Sequence, residues 1–168
     1  MANRWPVLLL ALALPASAQS LWNHNSNAPV DVAADRIEVQ DRADRATFAG
    51  NVQVRQGSLN LTAARVTVAY TGGGGGGVDI QRIDAAGGVT VRSPSETARG
   101  DFAIYDLNRR IITVLGGVVL TQGPNTVRGG RLVYDLGSGR AVMDGGGAPG
   151  VTSGGGRVTG RFTVPQRD

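Results

Sequence analysis

The stretch Val114-Leu115-Gly116-Gly117-Val118-Val119-Leu120 sets two adjacent glycines between aliphatic residues. The same arrangement occurs earlier in the chain at Gly87-Gly88-Val89. A further glycine pair, Gly145-Gly146, follows Gly116-Gly117 after the same number of residues. Tyr105-Asp106-Leu107 also recurs at this spacing, as Tyr134-Asp135-Leu136. A fixed period of roughly 30 residues is typical of stacked supersecondary units that bury one continuous core only together.

Apolar and polar residues alternate through nearly the whole chain after its first segment, and no stretch repeats its apolar residues at helical spacing. Breaks with hairpin chemistry separate the alternating segments, at Gln56-Gly57, Gln122–Asn125 and Leu136–Gly139. The pattern predicts an all-β antiparallel fold, an open-ended stack of short strands with one dry and one wet face. Val and Ile would fill the interior of such a stack, or it would stay open as a groove.

The N-terminus has the pattern of a secretory signal peptide over residues 1–18. An apolar run at Val7–Leu14 is followed by a small-residue cleavage site, and eight apolar residues are too few to span a bilayer. We expect a flexible segment at residues 19–28, a single domain at residues 29–165 and a tail at residues 166–168. A chain without cysteine folds in an oxidising compartment without disulfide chemistry, so these features predict the periplasm.

Composition and charge exclude several classes of protein. The 17 basic residues are all Arg and face 13 acidic residues, for a formal net charge of +4. The charges are interleaved, with no basic run among aromatic residues, which argues against nucleic-acid binding. The absence of Cys removes thiolate metal sites and cysteine nucleophiles.

The sequence offers no credible catalytic or metal-binding group. His24 is the only histidine and is interpreted as part of a flexible terminus. Asp79 and Asp84 are separated by an odd offset, which predicts opposite faces of a strand. No helix start or Lys follows the glycines at 72–77, so they are interpreted as a surface loop. We therefore expect no enzyme activity, no cofactor and no metal.

Five stretches together resemble the LptA/OstA family, periplasmic proteins of the lipopolysaccharide export pathway. They are Asp35-Arg36-Ile37, Ala46–Gly57, Leu61–Val66, Gly130–Asp135 and Arg157–Pro165. The resemblance covers residues 29–165. It implies an incomplete, twisted antiparallel β-jellyroll whose apolar interior binds the acyl chains of lipid A. It also implies end-to-end joining with inner- and outer-membrane partners of similar fold.

The expected function is that of a periplasmic bridge protein that shields acyl chains during transport. Three alternatives stay open: the periplasmic domain of a related transport component, a β-solenoid surface or adhesin protein, and a carbohydrate-active β-repeat enzyme. The last would need paired carboxylates that converge on one face.

The predicted lipid-facing set consists of apolar residues at alternating strand positions. Its members are Val30, Val32, Ile37, Val39, Phe48, Val52, Val54, Leu61, Val66, Val68, Val89, Val91, Phe102, Ile104, Ile112, Val114, Val118, Leu120, Leu132 and Tyr134. The first strand, at Val30 and Val32, and the last, at Arg157–Val164, are the expected unpaired edges. Because these edges carry little that blocks pairing, we expect head-to-tail self-association.

Overall fold

The computed structural model describes residues 24–72, 77–146 and 156–163. Ten strands make up most of this part of the chain: β1 (Val30–Ala33), β2 (Arg36–Gln40), β3 (Arg45–Gln56), β4 (Leu59–Thr71), β5 (Asp79–Arg92), β6 (Glu96–Asp106), β7 (Ile111–Gln122), β8 (Asn125–Asp135), β9 (Arg140–Asp144) and β10 (Thr159–Arg161). A single turn of 3-10 helix at Asp41–Ala43 joins β2 to β3. No helix among the described residues has the length and hydropathy to cross a membrane.

All the strand pairs are antiparallel and form one sheet, in the order β1-β3-β4-β5-β6-β7-β8-β10. Strand β2 also pairs with β3, and β9 also pairs with β8, so each edge of the sheet carries two short strands. The sequence repeat corresponds to one hairpin, because β5 with β6 is followed by β7 with β8. The predicted all-β antiparallel fold is confirmed.

The long strands bend where glycine pairs interrupt the pairing register. Leu115 pairs with Arg131 and Val118 with Gly129, so Gly116 and Gly117 together face the single residue Gly130. Gly116 and Gly117 have φ angles of 82° and 53°, a left-handed conformation that costs Gly little and other residues more. Such a bulge bends and twists a strand.

The same bulge occurs at one level in three alternate strands, and we call this row the crease. It consists of Gly50-Asn51 in β3, Gly87-Gly88 in β5 and Gly116-Gly117 in β7, each opposite one residue of the next strand: Ala64, Asp101 and Gly130. Strands β1 and β2 also meet at this level, because Asp35 N–H donates to the carbonyl of Gly50 at 2.9 Å. The crease therefore runs across the sheet, perpendicular to the strands.

The sheet folds over at the crease into two layers. The Tyr105 hydroxyl lies 3.0 Å from Gln56 Oε1. Through the pairing of β3 with β4, β4 with β5 and β5 with β6, Gln56 is level with Glu96 in β6. Roughly 30 Å of extended strand separate Glu96 from Tyr105. Direct contact across that distance requires the two halves of the strands to pack face to face.

The first layer holds one half of each long strand and the second layer holds the other half. The first layer comprises residues 36–40, 45–49, 65–71, 79–86, 102–106, 111–115, 131–135 and 140–144. The second comprises residues 30–33, 52–56, 59–63, 89–92, 96–99, 118–122, 125–129 and 159–161. The result is an incomplete jellyroll with one apolar core between its layers.

The crease explains why the prediction for Phe102 and Ile104 was wrong. In β6 the alternation changes phase at the crease, where the single residue Asp101 lies opposite Gly87 and Gly88 of β5, so Ala98 and Ala103 both face the core. Phe102 is 53% exposed on the outer face, while its neighbour Ala103 is 1% exposed. Ile104 shares the outer face with Phe102, because alternate strand residues point the same way.

Four further expectations need correction or fall outside the described part of the chain. The strands are long and bend at the glycine pairs, where short separate strands were expected. Asp79 and Asp84 lie on the same face, because a register shift opposite Ala69 and Tyr70 brings Ile80 and Ile83 to the core side. The predicted signal peptide and the tail at residues 166–168 lie outside the described residues.

The crease glycines allow a matched test of what fixes the bend. A Cβ on Gly87 would lie 2.6 Å from the Ala64 Cβ, whereas a Cβ on Gly88 would meet nothing within 4 Å, and both residues have positive φ. We expect Gly88→Ala to lower the unfolding free energy by about 1–2 kcal/mol, the cost of the left-handed conformation. Gly87→Ala should cost clearly more, about 2–4 kcal/mol, because the backbones of β4 and β5 must also separate. Urea denaturation measures both, and equal losses would show that close strand approach does not set the crease.

Candidate functional site

The interior between the two layers is the largest continuous apolar feature of the described residues. Twelve of the predicted lipid-facing residues are buried there: Val52, Val54, Leu61, Val66, Val68, Val89, Val91, Ile112, Val114, Val118, Leu132 and Tyr134. Val30, Val32, Phe48 and Leu120 are partly buried and pack against them. β-Branched residues suit this face because they pack well on a pleated surface.

Ile37 and Val39 lie on the same face but at its open end. They pair with Phe48 and Ala46, which belong to the inner face, yet they are 56% and 53% exposed. At the opposite edge Phe162 is 66% exposed. Phe162 lies two positions beyond Gly160, whose partner Val127 is on the inner face. The apolar face therefore continues past the packed core at both ends of the sheet.

The interior also contains residues that the predicted set omits. Leu59, Ile83 and Tyr105 are all at most 5% exposed, and Ala85 and Ala103 are buried beside them. Tyr105 was available from the sequence, because Tyr134 was predicted to face inward and the two tyrosines are one repeat apart. The repeat was the better guide than the local alternation around Phe102.

Gln56 is a polar hub at the edge of the core, in the last position of β3. It is 3% exposed, and its amide nitrogen donates to the carbonyls of Ser26 and Ala28 at 2.9 and 3.1 Å. Its amide oxygen accepts from the Tyr105 hydroxyl at 3.0 Å and lies 3.1 Å from His24 Nε2. Because the amide nitrogen is committed to two carbonyls, Nε2 of His24 carries the proton in this contact.

His24 is therefore not part of a flexible terminus, and that expectation was wrong. It is 9% exposed, and residues 24–28 lie against the end of the core through Gln56. No local sequence signal reveals this contact, because the partner lies 32 residues away and belongs to an alternating strand. A buried, hydrogen-bonded histidine of this kind is a structural residue.

Glu96 is the one carboxylate buried among the described residues. It is 9% exposed, and its Oε1 accepts from Gln122 Nε2 at 2.9 Å. Burial raises the pKa of Glu96 above its ordinary value of 4.5, and a hydrogen bond with Tyr134 opposes that rise. Because Glu96 lies in the second layer and Tyr134 in the first, this contact crosses the interior as Tyr105–Gln56 does.

The repeated Tyr-Asp-Leu sequence has one role for each residue. Tyr134 and Leu136 enter the core, while the carboxylate of Asp135 between them accepts the N–H groups of Gly137 and Ser138 at 2.8 and 3.0 Å. These hydrogen bonds hold the pKa of Asp135 below its ordinary value. In the preceding hairpin Asp106 accepts the N–H of Arg109 at 3.0 Å in the same way.

The interior is closed in this structure. Two cavities of about 20 Å³ remain between the layers. The first is lined mainly by Val and Leu with Gln56 and Tyr105, and the second is lined by similar residues with Glu96 and Tyr134. Each has room for about one water molecule, whereas pockets for organic ligands usually measure about 300–1,000 Å³.

The acidic residues of the described part of the chain are not gathered around one site. No group of three or more metal-ligating side chains occurs in residues 24–72, 77–146 and 156–163. Asp84, one of the two acids considered from the sequence, is paired with Arg82 at 2.7 Å on the exposed face. Asp79 accepts from Gln81 at 2.8 Å there. What the site offers is an apolar surface between two layers.

Comparison with known proteins shows which family of proteins this chain resembles. The family model described as LptA/(LptD N-terminal domain) LPS transport protein matches residues 31–140. The chain belongs to this LptA family of lipopolysaccharide transport proteins. The resemblance to the LptA/OstA family seen in the sequence is thus confirmed.

Individual relatives show how far the similarity extends. The chain is 28% identical over 153 residues to the lipopolysaccharide export system protein LptH of Pseudomonas aeruginosa, covering 86% of this chain and 79% of that protein. It is 25% identical over 132 residues to LptA of Escherichia coli K12, covering 75% and 68%. An uncharacterised protein of Rhizobium meliloti is 35% identical over 140 residues, covering 80% and 75%.

A solved structure supports the jellyroll architecture. The crystal structure of LptH, described as the LptA-homologous periplasmic component of the lipopolysaccharide transport device of Pseudomonas aeruginosa, superposes with a TM-score of 0.72. The match covers 83% of this chain and 98% of that one at 23% identity. The expected fold class is therefore confirmed.

Proposed function

We propose that this LptA-family protein is exported by cleavage of residues 1–18 and acts in the periplasm as a bridge for lipopolysaccharide. The acyl chains of lipid A would lie between the two layers, on the inner face. The observation that carries the proposal is the unbroken apolar inner face, which runs from Ile37 at one edge of the sheet to Phe162 at the other. Each methylene moved from water onto such a surface gains about 0.8 kcal/mol.

The bridge role is supported by the relatives and by the two edges of the sheet. LptH and LptA are both named as export system proteins, and the chain spans more than two thirds of each. The edges consist of β1 with β2 and of β9 with β10, short strands with mostly exposed residues. A strand added at either edge would pair with free backbone groups and continue the inner face.

Photo-crosslinking tests the inner face as the lipid site. A photo-reactive residue at Phe48 or Leu120, both partly buried on the inner face, should crosslink to lipopolysaccharide in micelles. The adjacent outer-face positions Thr47 and Val119 are the matched controls and should label at least tenfold less, because adjacent strand residues point to opposite faces. Phe102 should behave like the controls. Equal labelling of both faces, or stronger labelling at Phe102, would contradict the proposal.

Association through the edges has its own test. Deleting Arg157–Asp168 removes β10 and the exposed Phe162, so the shortened protein should be a monomer that still binds lipopolysaccharide. The full-length mature protein should form head-to-tail assemblies whose mean mass rises with concentration, because such contacts do not close. Light scattering over a concentration series measures both. A discrete dimer that persists after the deletion would exclude association through this edge.

A further inference from the structure

The open end of the sandwich, opposite the crease, is where the turns of the two layers face each other, and we call it the mouth. The turns at 57–58, 93–95 and 123–124 belong to the second layer, and those at 107–110 and 136–139 belong to the first. Glu96 and Gln56 stand next to turns of the second layer, and Tyr105 and Tyr134 next to turns of the first. The polar contacts between the layers are therefore concentrated at the mouth.

Two tyrosine contacts join the layers there. The Tyr105 hydroxyl donates to Gln56 Oε1 at 3.0 Å, and the Tyr134 side chain interacts with the carboxyl group of Glu96. Each partner is itself fixed by other groups. Gln56 is tied to residues 24–28, and Glu96 accepts from Gln122 at 2.9 Å. The two tyrosines occupy equivalent positions of consecutive hairpins, one repeat apart.

The closed interior requires a route by which a bulky amphiphile enters. Cavities of about 20 Å³ hold no acyl chain, so the layers must separate for lipid to reach the inner face. Every long strand passes continuously through the crease, and separation at that end would break the strands' own backbone pairing. At the mouth, separation breaks only side-chain hydrogen bonds and apolar contacts.

We propose that lipid enters sideways through the mouth, and that Tyr105–Gln56 and Tyr134–Glu96 are latches that hold it shut in the empty protein. The proposal rests on the proposed function, since it concerns how the same interior is filled. The latches are polar contacts in a low-dielectric site, where such contacts become stronger once the layers meet. Acyl chains compensate for their loss by covering the apolar faces on both sides.

The test removes one hydroxyl at a time and keeps each ring. Tyr105→Phe and Tyr134→Phe each delete one latch, and Tyr70→Phe is the matched control. Tyr70 is a tyrosine of the first layer whose hydroxyl makes no hydrogen bond to another described residue. The probe is fluorescently labelled lipopolysaccharide presented in micelles, and stopped-flow mixing measures the loading rate.

The loading rate should rise about two- to tenfold for each latch removed, the factor that corresponds to the net contribution of one hydrogen bond. The double variant should load faster than either single variant, and Tyr70→Phe should match the wild type. Unchanged or slower loading in the double variant, with a melting temperature well above the temperature of the assay, would overturn the latch proposal.

A second measurement does not depend on lipid binding. The chain has no cysteine, so Ser58→Cys and Arg109→Cys place spin labels only on two exposed turns that face each other across the mouth. In the lipid-free protein, the distance distribution should broaden and lengthen with Tyr105→Phe and Tyr134→Phe together, and stay unchanged with Tyr70→Phe. An unchanged distribution in the double variant would overturn the proposal. Failure of the wild type to bind lipopolysaccharide would instead refute the proposed function.

Discussion

The row of left-handed glycines at the crease is the constraint on which the rest of the structure depends. Gly87-Gly88 and Gly116-Gly117 place two residues opposite one in the neighbouring strand, and the sheet bends there. Without the bend, the strands would form a flat ribbon with one apolar face in water. With it, the two halves of each strand cover one another and bury Val66, Val89 and Val114 almost completely. Burial of each such side chain contributes roughly 1.5–3 kcal/mol.

Much of this fold is predictable from the sequence, because its signals are local or periodic. The alternation gives the strands, the Gly and Asn clusters give the hairpins, and the fixed spacing of the glycine pairs gives the hairpin repeat. The prediction of inward-facing residues was wrong at Phe102 and Ile104, because the alternation in β6 changes phase at the crease, where the neighbouring β5 contributes the extra residue. Alternation can be read within a single strand. A bulge can be recognised only by comparing a strand with the neighbouring strand that it pairs with.

Other features of the site depend on contacts that no local pattern encodes. His24 meets Gln56 across 32 residues, and Glu96 and Tyr134 meet only because the sheet has folded over. Whether the interior is filled or open was left undecided by the sequence, since it depends on the separation of two layers of similar residues. The structure shows the closed form, held by apolar packing and by polar contacts at the mouth. For a transport protein, a closed empty form keeps its apolar face out of water until lipid arrives.

The central claim is that lipid acyl chains occupy the inner face of the folded sheet. Methyl-labelled protein bound to lipopolysaccharide, measured by NMR, tests it most directly through nuclear Overhauser contacts between acyl protons and Val, Leu and Ile methyl groups. The account predicts contacts to inner-face methyls such as those of Val91, Ile112 and Leu132, and none to Ile104 or Val133 on the outer face. Acyl contacts confined to Ile104, Val133 and their outer-face neighbours would contradict it.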